Sequence, residues 1–85
     1  MTIERLLELE EVTQSLPYES RRFAFRDGLR ILFDLTEEND DWWCGDEIIY
    51  YGGIEQIAPK ITEEQAITLF QLGWNIDEDS FILGC

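Results

Sequence analysis

Apolar residues near the start of the chain fall at Ile3, Leu6, Leu7, Leu9 and Val12, the spacing of one face of a helix. Thr2 stands where a cap belongs, so an amphipathic helix is expected from Thr2 to about Ser15, ended by Pro17. Its polar face carries Glu4, Glu8, Glu10 and Glu11, which read as a solvated surface. The next stretch, YESRRFAFRDGLRILFDLT, admits two foldings. As a helix opened by Glu19 or Ser20, it puts Tyr18, Phe25, Leu29, Leu32 and Phe33 on one side with Arg22, and Arg21, Arg26 and Arg30 nearer the other. As a hairpin it turns at Asp27-Gly28, with Phe23 and Phe25 facing Leu29, Ile31, Phe33 and Leu35. The helix is preferred because the run LRILFDL suits a buried helical face, although Gly28 in its middle costs about 1 kcal/mol against alanine.

TEENDD then reads as a turn, and EIIYYGG as a short strand stopped by its paired glycines. PKITEEQAITLFQLGW carries the clearest helix signals. Thr62 and Gln65 have the spacing of a capping box, Ile61 can act as a staple, and Gly73 is a stop, with Ala66, Ile67, Leu69, Phe70 and Leu72 toward the core. WNIDEDSFILGC reads as a tight hairpin with Trp74 and Ile76 on one arm and Phe81 and Leu83 on the other. There is no internal repeat. The expected fold is α+β, one small domain over residues 1–85, approximately α-α-β-α-ββ with a short antiparallel sheet.

Composition changes this picture in one respect. With 45% hydrophobic and 13% aromatic residues the 85-residue chain can bury a core, so its net charge of -13 does not signal disorder. No run approaches the roughly 18 apolar residues of a membrane span, and MTIERLLELEE has acids where a signal peptide has bases, so a cytoplasmic location is expected. Cys44 and Cys85 without any histidine cannot build a standard zinc site. They read as two reduced thiols, with a bridge between them as the alternative in an oxidising compartment.

The charge is unevenly distributed. Residues 1–30 set six acids against five arginines, whereas residues 31–85 set thirteen acids against Lys60 alone. Solubility needs a net charge of only roughly 2 to 8 for a small domain. One reading is that the excess is merely tolerated. Divalent metal binding is weakly supported, because NDDWWCGDE and DEDS lack the alternating ligands, central glycine and closing glutamate of a calcium loop. A third reading is imitation of a nucleic-acid backbone, since double-stranded DNA presents one charge per roughly 1.7 Å and its binders line their grooves with lysine and arginine.

The segment Phe33 to Gly53 combines seven carboxylates with Trp42-Trp43 and Tyr50-Tyr51 and no base. In an extended strand neither pair can face the core with both rings, so at least one ring of each pair is expected near the surface, where it can anchor an arginine-rich partner. The alternative is that the rings only fill the core, a reading that is stronger for Trp74. Catalysis is not expected. The candidates are the Asp40-Asp41 pair, Cys44 among acids that disfavour its thiolate, and Lys60, and no glycine-rich phosphate loop is present. No catalytic residue, cofactor or metal is assigned.

In size, charge and this acid-aromatic segment the chain resembles the small acidic proteins of phages and mobile elements that disable host defence, particularly anti-CRISPR proteins acting as DNA mimics. The ending ITEEQAITLFQLGWNIDEDSF also resembles the helix, LGW and acidic turn of some phage and bacterial proteins, a likeness that covers about the last quarter of the chain and speaks to fold alone. The first resemblance implies a cytoplasmic inhibitor in a bacterial host. Its partner would be a basic protein or ribonucleoprotein such as a CRISPR effector, with no direct nucleic-acid binding and no membrane. It supplies no residue roles. The charge map itself nominates Asp34, Glu37, Glu38, Asp40, Asp41, Asp46 and Glu47 with Trp42 and Trp43, and Asp77, Glu78 and Asp79 as a second cluster. The alternative is a regulatory or adaptor module that binds a basic protein through the acidic-aromatic patch, depending more on the tryptophans than on net charge.

Overall fold

The computed structural model of the chain describes residues 1–21, 23–36, 42–45 and 47–84, and for Tyr18, Trp42 and Trp43 the backbone alone. In chain order the elements are α1 (Ile3–Val12), a 3-10 turn (Tyr18–Arg21), α2 (Ala24–Thr36), β1 (Trp42–Gly45), β2 (Ile48–Gly52), α3 (Ile54–Ile57), α4 (Glu63–Gln71), β3 (Asn75–Asp77) and β4 (Ser80–Gly84). The fold is α+β. Beyond the expected elements it adds β1 and the single turn of α3. The turn expected over TEENDD falls largely on residues 37–41, outside the described residues. No helix among the described residues is long and apolar enough to cross a membrane.

The strands form one antiparallel sheet in the order β1-β2-β4-β3. Two hairpins are thus joined through β2 and β4, with α3 and α4 in the connection between them. Side chains alternate along the central strands: Ile49, Tyr51, Phe81 and Leu83 are buried, while Ile48, Tyr50 and Ile82 are half-buried on the other side. The buried set shares one core with Leu6 and Leu9 of α1, Leu32 of α2, Ile57 of α3 and Leu69 of α4. Helices therefore cover one face of the sheet.

The cap expected for α1 forms, Thr2 Oγ1 accepting from the Arg5 N–H at 3.1 Å. The helix stops at Val12 and not near Ser15. Thr13 is already extended, and Leu16 gives its N–H to the Gln71 carbonyl at 2.8 Å, so a tertiary bond draws the chain away before Pro17 is reached. At the head of α4, Thr62 Oγ1 accepts from Gln65 N–H and Gln65 Oε1 accepts from Thr62 N–H, completing the capping box. At its tail Gly73 adopts φ 98°. The Gly73 N–H bonds the Phe70 carbonyl and the Trp74 N–H bonds the Leu69 carbonyl, the paired bonds of a Schellman ending.

That ending aims Trp74 into the core, where it is fully buried. Its indole Nε1–H donates to the Ala24 carbonyl at 2.9 Å, and its ring lies on Gly28 so closely that a Cβ there would sit 2.1 Å from Nε1. The glycine that counted against a helix is what lets this helix pack. It also corrects the expected inner face of α2. Ala24, Gly28, Leu29, Leu32 and Leu35 are buried, whereas Phe25 and Phe33 remain 45% and 36% exposed. The small residues turn inward because the indole needs the room. At the other end of α2, Thr36 Oγ1 gives its only hydrogen to the Leu32 carbonyl, so the buried Tyr51 hydroxyl must donate to Thr36 Oγ1, 2.6 Å away.

Gly28→Ala is expected to lower stability by about 2 kcal/mol even though alanine favours helix by about 1 kcal/mol, because overpacking against the indole dominates. Urea denaturation reads the change; an unchanged or raised midpoint contradicts this packing.

Candidate functional site

The nominated acids fall into three groups. Asp34 is exposed near the end of α2, two residues before the Thr36 that anchors to Tyr51. Glu47 is exposed in the two-residue connection between Gly45 of β1 and Ile48 of β2. Asp77, Glu78 and Asp79 are exposed at the tip of the second hairpin, where Asp77 pairs with Ser80. Glu37, Glu38, Asp40, Asp41 and Asp46 lie outside the described residues, as does Cys85 and with it any bridge to the exposed Cys44. The backbones of Trp42 and Trp43 register opposite Tyr51 and Tyr50, and their side chains lie outside the description. Of the tyrosines, Tyr51 is buried and Tyr50 half-buried, as alternation along a strand requires.

The described acids do not make one patch. Ile48 pairs with Gly84 and Gly52 with Ser80, so the Glu47 turn and the Asp77–Asp79 tip occupy opposite ends of the sheet. Four strand steps separate those ends by roughly 14 Å. At that distance two unit charges interact by only about 0.3 kcal/mol in water, and salt reduces this further. The two turns are therefore electrostatically separate groups on one sheet. β1 begins, at Trp42, from the same end as the Asp77–Asp79 tip.

Among the described residues, the two non-glycine positions with left-handed backbone are Glu47 (φ 64°) and Glu78 (φ 56°). Both are glutamates in hairpin turns, where glycine, asparagine or aspartate would be easier, since this conformation costs an L-residue roughly 1–2 kcal/mol. Among the described residues, two arginines of the first thirty are paired with other acids. Arg5 bonds Glu63 at 2.6 Å and Glu8 at 3.1 Å, contacts that raise its guanidinium pKa above the ordinary value, the Glu63 bond most. Arg26 meets Asp27 at 3.0 Å. None of these pairs uses a nominated acid.

Two further acids belong to the neighbourhood of the second tip. Ile54 N–H bonds the Asp79 carbonyl at 3.0 Å, so α3 starts beside the tip and brings the exposed Glu55 there. Glu10, read from the sequence as part of a solvated face, instead accepts a hydrogen bond from the backbone N–H of Ile76 on β3. β3 is an edge strand, and the carboxylate occupies a donor that would otherwise face outward. No sequence signal separates Glu10 from Glu11, because the difference arises only when β3 arrives. No group of three or more metal-binding side chains is gathered among the described residues.

No protein-family model matches the chain, and comparison with curated proteins and with solved structures likewise returns no match. The functional reading rests on the geometry of these residues.

At position 78, glutamine removes only the charge and glycine removes also the left-handed strain. Stability is expected to rise in the order Glu, Gln, Gly, with Glu78→Gly gaining roughly 0.5–1 kcal/mol after the added chain entropy of glycine is subtracted. Thermal or urea unfolding at low salt reads the order, and a loss of stability on Glu78→Gly contradicts a strained turn.

Proposed function

We propose that this chain is a non-enzymatic acidic inhibitor that occupies the basic nucleic-acid-binding surface of a bacterial host defence complex, in the manner of anti-CRISPR DNA mimics. The observation that carries the reading is the pair of left-handed glutamates, Glu47 and Glu78, each in a hairpin turn at one end of the sheet. Strained backbone kept at an exposed position calls for a use beyond folding. Here the strain holds carboxylates outward on a sheet, with the ion pairs of Arg5 and Arg26 elsewhere.

A mimic needs charges whose spacing does not relax when the partner approaches, since ordering them on binding would reduce affinity. Turns closed by antiparallel pairing meet that need better than a disordered acidic tail. Arginine and lysine side chains that normally grip phosphates would meet carboxylates instead, and the counterions held around the acids would be released. The adaptor reading retains one supporting observation. Ile48, Tyr50 and Ile82 lie half-exposed on the sheet face away from the helices, a surface that could hold a partner by apolar contact.

Competition separates the two. With a guide-loaded CRISPR effector and a labelled target duplex, the mimic is expected to weaken duplex binding in proportion to its concentration. The combined variant Asp77→Asn, Glu78→Gln, Asp79→Asn is expected to compete at least about tenfold less well. Simultaneous binding of duplex and protein without mutual weakening rejects mimicry of this target. Loss of effector binding on Tyr50→Ala, with the triple variant unaffected, favours the adaptor.

A further inference from the structure

The sheet has two edges, and the chain treats them differently. β3 forms one edge and β1 the other, and among the described residues no further strand pairs with either. In a two-residue hairpin the closing residues exchange both backbone hydrogen bonds, and antiparallel partners alternate from there. Counting from Asp77 and Ser80, β3 turns Asn75 and Asp77 toward β4 and the backbone of Ile76 outward. That outward N–H is the one taken by the Glu10 carboxylate of α1, so this edge is closed. Counting from Gly45 and Ile48, β1 turns Gly45 and Trp43 toward β2 and presents the N–H and C=O of Trp42 and Cys44 outward. The usual guards of an edge are missing from the strand itself: WWCG has no lysine, no proline and no charge, and its one-to-one register with β2 contains no bulge. We propose that the β1 edge is a docking site for an extended segment of a partner protein, which joins the sheet as a further strand and carries basic residues at both ends.

Cys44 shows that there is room. It stands opposite Ile49, so its side chain points to the face that the helices cover, yet it is exposed while Ile49 is buried. At Cys44 the helix layer therefore no longer covers the sheet, which leaves space beside β1 for a neighbouring strand.

The charges that bracket the strand select its occupant. By sequence Asp40 and Asp41 directly precede Trp42, and Asp46 and Glu47 directly follow Gly45. Connectivity alone keeps each pair within a residue or two of the strand. A second copy of β1 therefore brings acid against acid in either direction. Run antiparallel, the acids after one strand come beside those before the other; run parallel, each pair meets itself. An acidic strand is repelled in the same way, and an uncharged one gains nothing at the ends. A strand with lysine or arginine on both sides of its paired residues meets opposite charge at each end, while its backbone supplies partners for Trp42 and Cys44. This site does not rest on the inhibitor reading, and its test uses neither duplex nor effector, so either can fail without the other.

Nuclear magnetic resonance titration of the full chain with a synthetic peptide of alternating valine and threonine, two lysines at each end, provides that test. The peptide is expected to bind with a dissociation constant below about 1 mM at low salt. At about 2 mM it is expected to slow amide exchange at Trp42 and Cys44 at least about threefold and to leave Ile76 unchanged. The same peptide with glutamates for lysines, and the lysine peptide with its central amides N-methylated, are each expected to bind at least about tenfold more weakly. Cys44→Pro removes one outward N–H and spares those facing β2, so it is expected to keep the fold, read by circular dichroism, and to lose the peptide. Should that variant unfold, the N-methylated peptide decides the same point on the wild type. Absence of binding at about 2 mM overturns the proposal, as does equal binding of the N-methylated or the glutamate peptide, or protection that maps away from β1. Protection of Trp42 and Cys44 that grows with the protein's own concentration, without peptide, assigns the edge to a second copy and overturns it too.

Discussion

The indole of Trp74 on the bare backbone of Gly28 is the contact on which the arrangement of the molecule depends. It joins positions nearly fifty residues apart, tying α2 to the start of the second hairpin, and its one polar atom is satisfied by the Ala24 carbonyl. The Schellman ending of α4 delivers the ring, since Gly73 alone can take φ 98° without strain while the Arg21 side chain lies where a Cβ would go. A buried tryptophan with an unmet N–H would be costly. With it met, α2 has a fixed rotation about its own axis. That rotation places Ala24, Gly28, Leu32 and Leu35 inward and leaves Phe25 and Phe33 out.

Elements defined by neighbouring residues were legible in the sequence, and those defined by distant ones were not. The capping box of α4, the Gly73 stop, the Thr2 cap and the NIDEDSF hairpin each depend on side chains within a few positions of the backbone they serve, so spacing identifies them. The helix preferred over a hairpin at Asp27-Gly28 forms, but helical spacing alone points to the wrong buried face, because the deciding partner, Trp74, lies far along the chain. β1 carries no alternation of its own in WWCG and becomes a strand because β2 offers it a pairing edge. α3 is too short for periodicity to register. Of the nominated acids, Asp34, Glu47 and Asp77–Asp79 are exposed as their charge requires, but their division between two ends of the sheet follows from strand order, which no local pattern encodes.

Among the described residues, the charge contacts gather on and beside the helices. Arg5 braces α1 against α4 through Glu63, Arg26 is held by Asp27, and Glu10 covers a donor on an edge strand. Each of these contacts sits on or beside the helices. None of the three involves a described residue of the hairpin turns, and two of the turns' glutamates occupy backbone that other residues would occupy at lower free energy. A surface selected only for solubility would not need rigid turns, left-handed glutamates and a residual charge well above what a domain of this size requires. On the function proposed above, binding to cations supplied by another molecule would account for all three.

That account reduces to one measurable quantity, the number of ions displaced when the protein meets its partner. Affinity for a guide-loaded effector, measured by titration over a series of salt concentrations, is predicted to fall linearly on logarithmic axes with a slope of several ions. The slope should become shallower by about one for each carboxylate neutralised at Asp77, Glu78 and Asp79. An affinity that does not change with salt, or a slope that those substitutions leave unaltered, would contradict it.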